Sequence, residues 1–312
     1  MKYRHLGNSG LEVSVIGLGT NNFGGRMEFK EAQEVIFSAL DQGINLIDTA
    51  NIYSHGRSEE IIGRALTDRR QESLIATKFG MVWEDGPHGH GGSRKHIMDS
   101  LEGSLRRLQT DHVDLYQMHQ QDPDTPIEET LRALDDAVSS GKVRYIGLSN
   151  FDAWRIADAQ WTAIHHGFTP FISSQPEYSM LERGVEHAIL PVSEKYGLGT
   201  LPYFPLAHGF LTGKYRRNKP VPAGTRLALT PDAQSKRLSA SNFDVLDQLE
   251  VFVEKRGHSM VELAFAWLLA RESVGSVIAG ASTPDQICQN AAAAEWEFTQ
   301  EDIDELTVIL EG

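Results

Sequence analysis

Eight short apolar runs, separated by stretches of helical periodicity, constrain this chain more than any other feature. The runs fall at residues 15–19, 45–48, 74–78, 113–118, 145–149, 171–175, 198–202 and 276–279. Several are apolar without strict alternation, as strands buried on both faces are. Helices are predicted between them at 31–42, 57–66, 127–138, 154–165, 185–196, 260–271, 284–294 and 301–310. Another begins after the cap Ser93, with Ile97, Leu101, Leu105 and Leu108 on one face. Strands alternating with helices imply a parallel sheet with crossover helices. No composition break divides the 312 residues. The predicted fold is therefore α/β, a single (β/α)8 (TIM) barrel domain over 1–312, in preference to two doubly wound halves.

Three segments stand outside the rhythm. Leu11, Val13 and Val15, near Gly7 and Gly10, predict a short N-terminal hairpin. The loop 81–92 (MVWEDGPHGHGG) follows the third strand. A long insertion between strands seven and eight begins at Ala207 and is rich in Pro, Gly, Lys and Arg. It is followed by an extra helix at 243–255, so the irregular part spans 207–255. A loop that long in a compact domain usually serves a ligand.

Composition narrows the functional classes. The chain carries 29 Lys and Arg against 43 Asp and Glu, a formal charge of −14, which argues against a nucleic-acid surface. An anionic small ligand stays possible, since a few basic residues or backbone amides suffice for it. The single cysteine, Cys288, excludes an internal disulfide and CxxC motifs, and it reads as a small buried hydrophobe. The opening MKYRHLGNSG has no apolar run of the signal-peptide kind, and 263–270 is too short to span a bilayer. A cytoplasmic protein without nucleic-acid or membrane partners is the expectation, its oligomeric state open.

In a barrel of this kind the chemistry sits at the C-terminal ends of the strands. Those ends carry Asp48, Lys78, His119, Ser149 with Asn150, Gln175, Tyr203 and Gly280, and Tyr53 follows the second strand closely. Singly, each has a plainer reading: a turn aspartate, a solvated lysine, a loop histidine, an amphipathic loop tyrosine. Together they form general-acid machinery. A phenol titrates near ~10 in water. Lys78 beside Tyr53 is expected to stabilise the phenolate and lower that value, with Asp48 holding the lysine. His119 would orient a carbonyl oxygen. Such a site reduces a carbonyl to an alcohol if something supplies the hydride.

The chain resembles the aldo-keto reductases over almost its whole length. The resemblance lies in YRHLGNSGLEVSVIGLGTNNFGG, NLIDTANIYSHGRSEEIIGRAL, IATKFG, SLRRLQTDHVDLYQMH, GKVRYIGLSNF, QPEYSMLER, LPYFPLAHGFLTGKY and AGASTPDQICQN. It implies the barrel fold and a catalytic tetrad on Asp48, Tyr53, Lys78 and His119. It also implies an extended NAD(P)H with Gly19, Thr20, Asn21 and Asp48 near the nicotinamide. Ser149, Asn150 and Gln175 would hold the carboxamide, and Tyr203 would stack on the ring. Phe204, Pro205, Leu206, Ala207, Leu211, Gly213 and Lys214 would line the pyrophosphate, and Gly280, Ser282, Gln286, Gln289 and Asn290 the adenosine end. Phe204 stands where many members have Ser. Lys214 and Arg226 match a 2′-phosphate pair of one branch, so NADPH is expected over NADH. Phe23 and Trp83 are expected to meet the small carbonyl substrate.

Two other functions are compatible with the sequence. A regulatory module that senses NADPH and turns over slowly is implied by the potassium-channel β subunits of the same superfamily. An aldolase-type barrel would use Lys78 as a Schiff base, with nothing else in its favour. No metal site is assigned: His88 and His90 are too sparse for one. Gly17–Gly19 lacks the third glycine of a dinucleotide fingerprint, Asn22 standing in its place.

Overall fold

The computed structural model describes residues 1–311. An antiparallel hairpin opens the chain, pairing β1 (Tyr3–His5) with β2 (Glu12–Ser14). Eight parallel strands follow: β3 (Ile16–Gly19), β4 (Leu46–Asp48), β5 (Leu74–Phe79), β6 (Val113–Met118), β7 (Val143–Ser149), β8 (Ser173–Gln175), β9 (Gly199–Thr200) and β10 (Val277–Gly280). They are ordered β10-β3-β4-β5-β6-β7-β8-β9. Parallel bridges at Thr200–Val274 and Tyr203–Ile278 then join the last strand back to the first and close the barrel.

The helices are α1 (Phe29–Asp41), α2 (Arg57–Ala65), α3 (Arg94–Leu108), α4 (Ile127–Ser139), α5 (Ala153–His166) and α6 (Ile189–Tyr196). After them come α7 (Pro231–Arg237), α8 (Ala240–Arg256), α9 (Met260–Leu269), α10 (Pro284–Ala292) and α11 (Gln300–Glu311). The predicted Ser93 cap is present, its hydroxyl accepting from the His96 amide at 3.3 Å. Ser259 and Glu262 form a reciprocal capping box at the start of α9. Among the described residues no helix is long and apolar enough to cross a membrane.

Strand alternation sorts the barrel interior into two layers, because residues two apart share a face. The lower layer is apolar: Leu46, Ala76 and Leu115, with Leu201 and Ile278, pack on Leu6, Leu11 and Val13 of the hairpin. The hairpin thus plugs the bottom of the barrel. Gly7 (φ 58°) packs so tightly there that a Cβ would stand 2.3 Å from the Gly197 carbonyl oxygen. Two residues further along β4, β5 and β6 the same inward face carries Asp48, Lys78 and Gln117. The apolar floor supports a polar ceiling, and the ceiling is where the chemistry can lie.

Four expectations need correction. The helix predicted at 185–196 is broken: a 3-10 turn (Gly184–His187) ends at Ala188 (φ −144°), and α6 starts anew. Pro191, three positions on from Ala188, can supply no amide to a continuous helix there. The seventh barrel strand is shorter than predicted, because Pro202 has no amide to give a ladder. Within the insertion, α7 escapes a periodicity reading, being short and polar. It is tied down by Arg237, buried, which donates to Glu177 at 2.7 Å and Glu182 at 3.0 Å. Cys288 is exposed on α10, not buried.

Candidate active site

The register of the sheet brings the sequence candidates to one rim. Gly19 lies opposite Asp48, Lys78 opposite Gln117, Ser149 opposite Gln175, and Gly280 opposite Gly19. At their centre the Lys78 ammonium, fully buried, donates to both carboxylate oxygens of Asp48 at 2.7 Å and to the Thr49 carbonyl at 2.8 Å. Asp48 also accepts from Gln175 at 2.8 Å and Gln117 at 3.3 Å. Four hydrogen bonds from three side chains on three other strands leave this buried carboxylate well compensated.

Tyr53 opens a tight turn after β4, with its hydroxyl 3.5 Å from Lys78 Nζ. Its ring stands edge-on to His119 with centroids 5.8 Å apart. Here the electrostatics reverse the expectation for the phenol. Burial pushes Tyr53 above the ordinary tyrosine range, and the pull of Lys78 only partly offsets it. Lys78 is a weak acidifier because Asp48 neutralises it in place. Burial also opposes the Lys78 charge, but Asp48 and Tyr53 outweigh that, holding the ammonium above the ordinary lysine range. The pair therefore sits as charged lysine beside protonated phenol, a donor arrangement.

His119 is pushed down to about 3, first by burial and then by Lys78, so its imidazole is neutral at physiological pH. Its Nδ1 is buried without a hydrogen-bond partner among the described residues. For stability the sign is that of a histidine buried neutral: the unfolded chain takes up a proton near ~6.5 and the folded one does not. Stability from this residue is complete above that value and is lost as pH falls toward 3. The same neutrality predicts no histidine limb between pH 5 and 8 in the rate of any reaction at this site. A one-proton step centred near ~6.5 in kcat would show the imidazole titrating as an unperturbed group.

A cleft of about 470 Å³ opens above this cluster. Its walls are Gly19, Thr20, Asn21, Asp48, Ile52, Tyr53, Ser54, Met81, His119, Ser149, Asn150, Gln175, Tyr203, Phe204, Arg226, Ile278 and Gly280. Asn150 adopts a left-handed backbone (φ 56°) at the end of β7. Its amide donates to the His119 carbonyl and to Ser149 Oγ, and its oxygen accepts from the Tyr203 hydroxyl at 2.8 Å. Opposite, Gly280 leaves space: among the described residues outside its chain neighbours, only the Gly19 carbonyl comes within 4 Å of where a Cβ would stand. Side-chain amides, an aromatic ring and an open glycine edge suit a flat, amide-bearing heterocycle.

Other predicted contacts fall outside the cleft lining. Phe23 is completely buried in the core under the first loop, so it does not face a substrate here. Trp83 packs against His55 and Arg107. Ala207 and Leu211 are buried, while Pro205, Leu206 and Gly213 shape the same strap without lining the cleft. Arg226 lines the cleft, over Phe204 at 4.7 Å, whereas Lys214 is exposed beside the Tyr215 ring. Ser282, just before α10, and Gln286 and Gln289, on it, are exposed, with Gln286 accepting from the Ser282 amide at 2.7 Å, and Asn290 is buried. Gln117, Ile52, Ser54, Met81 and Ile278 also belong to the site, beyond the residues the sequence points to. Gln117 was findable, since it precedes His119 by two residues and so shares its face.

Comparison with known proteins adds to this geometry. The sequence model of the Aldo/keto reductase family matches residues 15–311. A probable voltage-gated potassium channel subunit beta from Oryza sativa subsp. japonica is 36% identical, over 100% of this chain and 97% of its own. The aldo-keto reductase YhdN of Bacillus subtilis is 35% identical, over 100% of this chain and 94% of its own. The L-glyceraldehyde 3-phosphate reductase of Escherichia coli K12 is 36% identical, over 94% of this chain and 87% of its own.

Proposed function

The chain belongs to the aldo/keto reductase family of oxidoreductases, and on that footing we propose that it is an NADPH-dependent reductase of small aldehydes or ketones, reversible toward the alcohol. The observation that carries the reading is the buried chain Asp48–Lys78–Tyr53, which ends in a protonated phenol facing the cleft. Gln175, Asn150 and Ser149 would hold the carboxamide end of the cofactor, with Tyr203 against its ring. The hydride for the carbonyl carbon would come from NADPH held there. His119, neutral, holds the carbonyl oxygen, and Tyr53 gives that oxygen its proton. Lys78 stabilises the phenolate left behind until solvent returns the proton. The residues 1–312 would act as one barrel domain, its 207–255 insertion strapping the cofactor.

NADPH is preferred to NADH because Lys214 and Arg226 both lie on that strap and either can meet a phosphate. Lys214→Ala is expected to weaken NADPH binding about tenfold and NADH binding hardly at all, read by fluorescence titration of the two nucleotides; one bidentate or charged phosphate contact is worth roughly that much. Equal losses for both would remove Lys214 from 2′-phosphate recognition. The activity itself is tested by steady-state turnover with a panel of short aldehydes.

A second reading, a binding module that holds NADPH and turns over slowly, is favoured by the likeness to the channel β subunits. A tightly retained cofactor with no turnover on that panel would support it. The intact Asp48, Tyr53, Lys78 and His119 set argues for the enzyme.

A further inference from the structure

The turn that carries Tyr53 is strained. Ser54 and His55 both adopt left-handed backbone (φ 49° and 55°), and Gly56 follows at φ 84°. Consecutive left-handed residues with side chains persist only where the surroundings hold them. Two side chains press on this turn from behind. A Cβ on Gly56 would stand 2.6 Å from Cδ of Arg107 and 3.3 Å from Cη2 of Trp83. The His55 ring meets Trp83 edge-on at 5.4 Å. The Arg107 guanidinium lies 4.8 Å from the Trp83 ring centroid.

Arg107 is itself pinned. It stands in the last turn of α3, and its Nε donates to Glu59 at 2.7 Å. Glu59 lies in the first turn of α2, wholly buried, and accepts from the Thr77 hydroxyl at 2.5 Å. Thr77 immediately precedes Lys78 on β5. One contact chain therefore ties the strand that holds Lys78 to the turn that holds Tyr53.

We propose that Arg107 is a positioning residue for Tyr53: pinned by Glu59 and covered by Trp83, it braces the Tyr53–Gly56 turn and thereby sets the approach of the Tyr53 hydroxyl to Lys78. The proposal rests on the reading of Tyr53 as proton donor. A displacement of about 1 Å in such a group costs on the order of a hundredfold in rate. Arg107 is not among the residues lining the cleft, so it acts on Tyr53 through the turn it braces.

The test uses Arg107→Met, which keeps the bulk behind Gly56 and removes the guanidinium, with Arg107→Lys and Tyr53→Phe beside it. The expected result is kcat lowered about ten- to hundredfold with NADPH affinity within about twofold. Amide hydrogen exchange in the peptide over 52–57 should speed up, and Arg107→Lys should recover much of both effects. An unchanged kcat in folded Arg107→Met overturns the proposal, as does a loss of kcat without faster exchange at 52–57. Should Arg107→Met fail to fold, Trp83→Leu, which removes the cover and no buried charge, must show the same pattern more weakly or the brace is refuted. Exchange at 52–57 is independent of turnover, and Tyr53→Phe reports separately on the donor, so failure of the brace and failure of the donor reading remain distinct.

Discussion

Tyr53→Phe is expected to lower kcat for aldehyde reduction by roughly a thousandfold, within the range that a positioned general acid supplies. NADPH affinity should change by less than about twofold, because the hydroxyl approaches Lys78, 3.5 Å away, rather than the amides proposed to hold the cofactor. The substitution removes one oxygen and keeps the ring beside His119, so folding is undisturbed. Steady-state rates with a fluorescence titration of NADPH check both halves of the expectation. Near-normal turnover would remove Tyr53 as the proton donor. The raised phenol adds a pH signature of definite sign. Reduction needs the protonated form, which persists through neutral and mildly alkaline pH, so its rate should be flat there. Alcohol oxidation needs the phenolate, so its rate should climb with pH over the same interval.

Lys78→Met is expected to have the largest effect on stability. It leaves Asp48 as a buried carboxylate held by Gln175 and Gln117 and deprived of its counter-charge. Breaking a buried pair in this way costs about 3–5 kcal/mol, whereas removing both charges costs far less. The double variant Asp48→Asn with Lys78→Met should therefore recover most of the lost stability in urea denaturation. It should recover none of the activity, because the charge that accepts the phenolate is still missing. If the single and double variants unfold at the same urea concentration, the loss lies in packing around the lysine stem and the ion pair contributes little. The same pair argues against an amine nucleophile. An ammonium held above its ordinary range and bonded to Asp48 and the Thr49 carbonyl is a poor starting point for a Schiff base.

Much of the site was legible because barrel geometry converts position along a strand into position in space. Asp48, Lys78 and His119 end apolar runs, and apolar runs that end in polar residues mark the top of a barrel. Gln117 follows from the same rule through its two-residue offset from His119. The rule weakens as soon as the chain leaves the strands. Phe23 stands in a glycine-rich loop beside the cleft, and whether its ring turns to substrate or to core is a packing outcome; it turns to the core. Lys214 and Arg226 are twelve positions apart on one insertion, yet Arg226 alone reaches the cleft wall. The break before α6 was readable at Pro191, whereas α7 is too short and polar for a periodicity, offers only its end signals Pro231 and Asp232, and depends on the salt links of Arg237 to Glu177 and Glu182.

The sequence by itself determined the barrel, since eight buried strands with intervening helices have one economical closed arrangement, and it determined which four side chains meet at its mouth. Tertiary structure decided the protonation of that group. Proximity of Lys78 argued for an acidic Tyr53; burial, together with an aspartate that already holds the lysine, reverses the direction. It also decided what stands behind the Tyr53 turn. Glu59 and Arg107 lie 48 positions apart in the chain, and only the packing of α2 against α3 brings them together. Desolvation and long-range contact are properties of the folded volume, and a linear pattern carries neither.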